Sequence, residues 1–322
     1  MTWQFTLTGL LIGGLVGLTG MGGGSLLTPI LVILFGFQPT YAVGTDILHG
    51  AIFKSFGAIR HRRLGTVHAR LTFWMFLGSG PMSLLGVSLA TWLKHHYGDG
   101  VQSVEAYAIG AALILGGLGL IAKTLVKIGV QPDDAPFLLT RRDRWVAFAI
   151  GAVFGFVVGL TSVGSGTFFG LVMVMVYPLT IAKVVGTDIF HAAALLWVAG
   201  IGHLVQGNVD LHAMAWLLLG SIPGIWLSSR FTVRVPQDAL RLGLAGVLAL
   251  SGIKLLNVPS AGYVIAIGFA VGLTAFAVWL ATGMRGVQSR SDETQRTDSS
   301  GASAHRGDRD GIRGDAAPEA RA

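Results

Sequence analysis

Asp46 and His49 lie at helical i and i+3 spacing inside an apolar stretch, and Asp188 and His191 repeat the same spacing. Positions i and i+3 share one face of a helix, so each pair would present a carboxyl beside an imidazole. A charged group at the centre of a bilayer costs roughly 2.5 to 3.5 kcal/mol on insertion scales, and such residues usually face a polar cavity and mark an ion path or a proton relay. Asp46 and Asp188 are therefore candidate proton-coupling groups. His49, His191 and the adjoining Thr45 and Thr187 are candidate side-chain donors to a solute. The structural alternative is a helix-clamping or capping role, with each acid held neutral or paired with its own histidine and each threonine bonded to a helix carbonyl.

The glycines supply a second kind of chemistry. Gly20, Gly22, Gly23 and Gly24 precede a short apolar run, and Gly164 and Gly166 precede another. Backbone that tolerates unusual dihedrals just before a helix can leave its first amides exposed, and with the helix dipole behind them these form an anion site without a cationic side chain. Short glycine-interrupted segments at matching places in two halves point to a transporter's binding site. Gly22, Gly23, Gly24, Gly164 and Gly166 therefore join the candidate solute-binding set. Close helix packing is the simpler reading for glycines such as Gly116, Gly117 and Gly119.

The two sets are copies of each other. Sliding the chain along itself until Gly44 falls on Gly186 carries Gly44-Thr45-Asp46-Ile47-Leu48-His49 onto Gly186-Thr187-Asp188-Ile189-Phe190-His191 without a gap. The same shift carries Gly17 onto Gly159, Gly22 onto Gly164, Gly24 onto Gly166, His61 onto His203, Gly65 onto Gly207, Trp74 onto Trp216 and Pro81 onto Pro223. Register kept over so many positions marks a duplicated structural unit. His61 and His203 fall near helix ends and suit interfacial hydrogen bonding, while Trp74 and Trp216 suit interface anchoring. Lys54 aligns with Leu196, outside the duplicated set, and its long stem is expected to snorkel toward the cytoplasmic side in preference to binding an anion.

Composition names the setting. Of 322 residues, 52% are hydrophobic and 12% charged, with a mean hydropathy of +0.66, which is the profile of a multi-pass membrane protein. By the length a span requires there are about eleven apolar runs, the one at 24–36 being too short for a full crossing. Only helices or closed barrels satisfy backbone groups in lipid, and runs of this length make the fold all-α. The absence of cysteine excludes disulfides and thiolate ligands. The formal charge of +7 lies in short membrane loops, because the segment after position 284 carries seven Arg against seven acids. Basic loops of that kind report orientation rather than a nucleic-acid partner.

Those elements predict an all-α, polytopic protein with two inverted repeats of about five helices, one short or re-entrant in each, plus an extra C-terminal span. Its parts would be repeat one at 1–127, a cytoplasmic connection at 128–144, repeat two at 145–256, an additional helix at 257–284 and a disordered cytoplasmic tail at 285–322. Inversion follows from loop charge. Arg60, Arg62, Arg63 and Arg70 place one loop inside, whereas its copy at 202–212 has no Lys or Arg and is expected outside. No Lys or Arg precedes Lys54, so the first run reads as a span rather than a signal peptide, with the N-terminus outside.

No hydrolase arrangement surrounds Ser79 or Ser165, and no nucleotide-binding loop follows Gly20–Gly24, so neither an enzyme nor an ATP-driven pump is indicated. The glycine loop with Val16 and Pro29, the Ala42-Val43-Gly44-Thr45 stretch, the Gly65-Thr66-Val67 turn and their copies, including Gly207-Asn208-Val209, resemble the TauE/SafE sulfite exporter family (4-toluene sulfonate uptake permease-like). The resemblance spans roughly positions 9–256 and implies a transporter of sulfite, sulfoacetate or another sulfur-containing or organic anion. Asp46 and Asp188 depart from it, since a small polar residue follows the threonine in many relatives. The expectation is a secondary permease of the cell inner membrane for a small anion, working in export, with Asp46 and Asp188 as candidate proton carriers and no cofactor or bound metal; export down the membrane potential needs no coupling ion, whereas uptake would. The competing reading is a divalent metal cation permease using Asp46, His49, Asp188 and His191, since carboxylate and imidazole suit transition metals; a non-transporting scaffold or an intramembrane enzyme is a third.

Overall fold

The computed structural model describes residues 2–19, 26–97, 102–125, 137–229 and 237–258. Among these, ten helices and no strands are found: α1 (Thr2–Thr19), α2 (Leu27–Phe35), α3 (Pro39–Arg63), α4 (Ala69–Tyr97), α5 (Gln102–Leu125), α6 (Arg141–Thr161), α7 (Phe168–Val176), α8 (Ile181–Val205), α9 (Leu211–Ser229) and α10 (Gln237–Leu255). The expected additional span, the tail, positions 128–136 of the connection, and Gly22, Gly23 and Gly24 lie outside the described residues.

Local chemistry explains the boundaries. Pro39 sits in the first turn of α3, where its missing N–H costs nothing. A capping box between Thr140 and Asp143 starts α6, and Thr180 accepts from the Lys183 amide to start α8. Gly36 ends α2 in the left-handed conformation. Pro81 and Pro223 both lie within helices, α4 and α9, at equivalent positions.

Among the described residues, five helices are long and apolar enough to cross a membrane: α4, α5 over Gln102–Ala122, α6, α8 and α9 over Leu211–Ser228. Trp3, Leu34, Leu85, Trp145 and Met175 stand exposed, as side chains facing lipid do. Helix α3 is as long as α8 but carries Asp46, Lys54, Arg60, Arg62 and Arg63. It is enclosed on every side from Ala42 to Ala51, so protein rather than lipid surrounds its acid.

Helices α1 and α9, α4 and α6, α3 and α8, and α5 and α10 form the principal packed pairs. Exchanging each helix with its copy in the other half turns α1 on α9 into α6 on α4 and returns the other two pairs to themselves. The seams match residue by residue. A methyl group on Gly9 or Gly13 would strike the Leu217 or Ser221 carbonyl, and one on Gly151 or Gly155, their copies in the second half, would strike Met75 or Ser79. Small residues at these seams let membrane helices approach backbone to backbone.

Candidate functional site

The repeated motif sits where α3 crosses α8, and its residues divide into clamps and a charged centre. Thr45 and Thr187 are clamps. Thr187 Oγ1 accepts from the His68 amide at 2.9 Å and Thr45 Oγ1 from the Asp210 amide at 3.0 Å, so each holds the loop that opens α4 or α9. The histidines point into helix seams. His49 Nε2 meets Ser221 Oγ at 2.9 Å, and His191 Nε2 meets Ser79 Oγ at 2.9 Å. Both rings lie against phenylalanines, His49 on Phe53 and His191 on Phe169.

Asp46 is not paired with its own histidine, which corrects one option left by the sequence. Its Oδ2 accepts from Thr28 Oγ1 at 2.6 Å, the Thr28 amide at 3.2 Å and Ser162 Oγ at 2.8 Å. Thr28 belongs to the first turn of α2, and Ser162 closes α6 with a φ of 62°. One carboxylate thus ties the short helix of the first half to the chain break of the second. Such charge-assisted bonds are about twice as strong as neutral ones.

Lys54 is the largest departure from expectation. It does not snorkel to a surface: it is 4% exposed, and its ammonium donates to the Ser165 carbonyl at 2.9 Å and to Ser165 Oγ at 2.8 Å. Asp46 and Asp188 lie within electrostatic reach of it. Asp188 itself is 6% exposed. Among the described residues the centre therefore brings a buried lysine, bonded to Ser165, into the neighbourhood of two buried acids, and a buried charge is tolerated only with polar partners.

The second glycine break precedes α7, as expected from the sequence. Gly164 has a φ of 109°. The Phe168 ring fills the space a side chain would need there, and glycine alone adopts such a dihedral without strain. The Gly164 carbonyl accepts from the amides of Thr167 and Phe168, both at 3.3 Å. The amides expected to stand exposed at the start of α7 are thus partly consumed within the turn, where Gly166 is also buried. The break offers side chains instead, through Ser162 and Ser165.

His203 is a second correction. It is fully buried rather than interfacial, donating from Nε2 to the Gly159 carbonyl at 3.0 Å, whereas His61 bonds Thr66 near its helix end. Trp74 carries Arg144 over its ring at 6.0 Å. Among the described residues no group of three or more His, Cys, Asp or Glu could hold a metal ion.

Thr28, Ser162 and Ser165 escaped the sequence reading, and Lys54 was set aside by it, for a shared reason that is also a signal. In the register of the repeat they align with Gly170, Leu196, Gly20 and Gly23. Positions where the halves differ converge on one spot, while attention to a repeat favours the positions where the halves agree.

Comparison with known proteins completes the picture. The profile of the family described as Sulfite exporter TauE/SafE matches residues 5–255. The chain is 36% identical over 256 residues to the probable membrane transporter protein YjnA of Bacillus subtilis (strain 168), covering 80% of this chain and 100% of that one. It is 25% identical to the probable membrane transporter protein YdhB of the same organism, over 76% and 96% of the two chains. It is also 22% identical to the probable membrane transporter protein MJ0441 of Methanocaldococcus jannaschii, over 78% and 93%. No solved structure matches. With long apolar helices, a duplicated seam and a family match over most of its length, this chain belongs to the TauE/SafE sulfite exporter family of membrane transporters.

Proposed function

We propose that this protein is a secondary transporter of a small anion, such as sulfite or an organosulfonate, in the cell inner membrane, and that the solute binds beside Lys54 where α3 crosses α8. The observation that carries the reading is the enclosed ammonium of Lys54 at the second chain break. An anion inside a bilayer needs a counter-charge, and a lysine 4% exposed within an apolar bundle is such a charge in a solvent-poor place. The Ser165 hydroxyl beside it, and those of Thr28 and Ser162 on Asp46, would serve as exchangeable donors.

Charge balance supports proton coupling. Lys54 is already flanked by Asp46 and Asp188, so an arriving anion would leave one positive charge facing three negative ones. Protonation of an acid removes that repulsion. The two halves would stand inverted in the membrane, turning one mouth outward and the other inward. A negative cell interior favours anion exit by about 2.3 kcal/mol per charge per 100 mV, so export needs no coupling ion and uptake would draw on protons.

The test is flux in proteoliposomes across a panel of sulfite, sulfonates, carboxylates and divalent metals, run with and without a pH gradient. Saturable movement of a sulfur oxyanion that responds to the gradient supports the reading. Metal uptake that disappears in Asp46→Asn, with no anion flux, overturns it.

A further inference from the structure

Helices α4 and α9 are copies, and so are the residues that cap them. Asp210 Oδ1 accepts from the Ala213 amide at 2.9 Å, and His68 Nδ1 accepts from the Leu71 amide at 3.2 Å, the same contact at the equivalent place in the first half. Each capping residue also gives its own amide to the motif threonine of the other half. The two loops are therefore equivalent ends of the α3/α8 crossing, one above each copy of the motif.

They differ in what covers them. At the Asp210 end, Phe37, Gln38, Tyr41, Val209, Asp210 and Leu211 line a cavity of about 510 Å³ that opens at the surface. Thr45, one turn on from Tyr41 along α3, and Asp46 beside it are buried and do not line the cavity. At the His68 end the matching positions are Leu179, Thr180, Lys183, Val67, His68 and Ala69. There Leu139, Tyr177 and Leu179 are buried, with Phe137 packed against them in the larger core cluster.

Histidine makes the difference possible. An aspartate has one function at a helix start, whereas an imidazole that accepts at Nδ1 still carries a proton at Nε2. His68 uses that proton to donate to the Phe137 carbonyl at 3.1 Å, and the Phe137 ring lies 5.8 Å from the His68 ring and 6.0 Å from Tyr177. Tyr177 in turn donates to the Asp143 carbonyl at 3.1 Å, at the start of α6.

We propose that the two loops are the two mouths of the solute path, that the Asp210 mouth stands open in this state, and that Phe137, held by His68, is the gate closing the other. The inference rests on the reading of the chain as a transporter but needs no particular solute.

The native chain has no cysteine, so single cysteines report access directly. Val209→Cys and Val67→Cys, made separately in the full chain, are labelled with a membrane-impermeant maleimide applied from either face of oriented vesicles. Val209→Cys is expected to react readily from one face, and Val67→Cys only slowly from the opposite one. Adding Phe137→Ala should speed labelling of Val67→Cys by up to about tenfold, the factor expected from losing the ring's contacts with His68 and Tyr177 while the backbone carbonyl that His68 bonds is kept. His68→Asp should act in the same direction, since it copies the cap of its counterpart but cannot reach Phe137. The Val209→Cys rate should be unchanged in both backgrounds, which also shows that the bundle is intact. Unchanged labelling of Val67→Cys in both, or a parallel rise at Val209→Cys, overturns the gate. Because labelling requires no transport, a failed anion panel with these rates as expected would remove the solute assignment and leave the gate standing.

Discussion

Replacing Lys54 by leucine makes the first half carry what the second half carries at the same place, Leu196, and so tests whether this difference in charge between the copies is functional. Two effects on folding oppose each other. The variant loses two charge-assisted hydrogen bonds to Ser165, each worth about 1.5 to 3 kcal/mol. It also removes a buried charge, and apolar replacement of buried ions is often neutral or favourable by about 1 to 4 kcal/mol. Inserted, folded protein is therefore expected. Solute binding has no such compensation. An ammonium about 4 Å from a unit negative charge is worth about 4 kcal/mol at an effective dielectric of about 20. Allowing for residual hydroxyl donors, a loss of about 2 to 4 kcal/mol lowers affinity by about 30- to 900-fold. Lys54→Arg keeps the charge but moves it, and should fall between. Flux in proteoliposomes, with protein recovery checked by size exclusion, reads this as a raised KM with a smaller change at saturation. A Lys54→Leu protein whose KM stays within about twofold of the parent would refute the counter-charge argument, since uniform binding lost at the site must appear there.

Other outcomes follow from the same geometry. Asp188→Asn imitates a permanently protonated acid, so anion flux that rises as pH falls in the parent should become flat with pH; a retained slope, measured over a series of buffered proteoliposomes, assigns the proton elsewhere. Gly164→Val places a side chain at a φ of 109° and into the Phe168 ring, and should abolish flux while membrane insertion persists. Gly155→Ala puts a methyl into Ser79 in the α4/α6 seam, and should destabilise by about 1 to 3 kcal/mol, visible as a lower melting temperature in detergent. It should also disturb the His191 contact with Ser79, so flux should fall with it.

Much of this molecule was legible before any coordinates, because lipid restricts what a chain can do. Apolar length dictates helices wherever backbone groups have no water to bond, and a repeat that keeps its register without a gap marks duplication. The all-helical class, the short helices after the breaks and the kinship of the two motif helices could therefore be read from residue types alone. Similarity within one chain also singled out Asp46, Asp188 and their neighbours. What it could not supply was direction. Whether Thr45 meets a solute or the loop amide of Asp210, whether His49 turns to its own acid or to Ser221, and whether Lys54 reaches for a surface or for Ser165 depends on which helices lie alongside, and those partners come from the other half of the chain. A side chain's periodicity gives its face on a helix, whereas its chemistry is completed by groups from another helix. Tertiary packing alone brought four residues that break the repeat to one place and put a buried lysine near both motif acids.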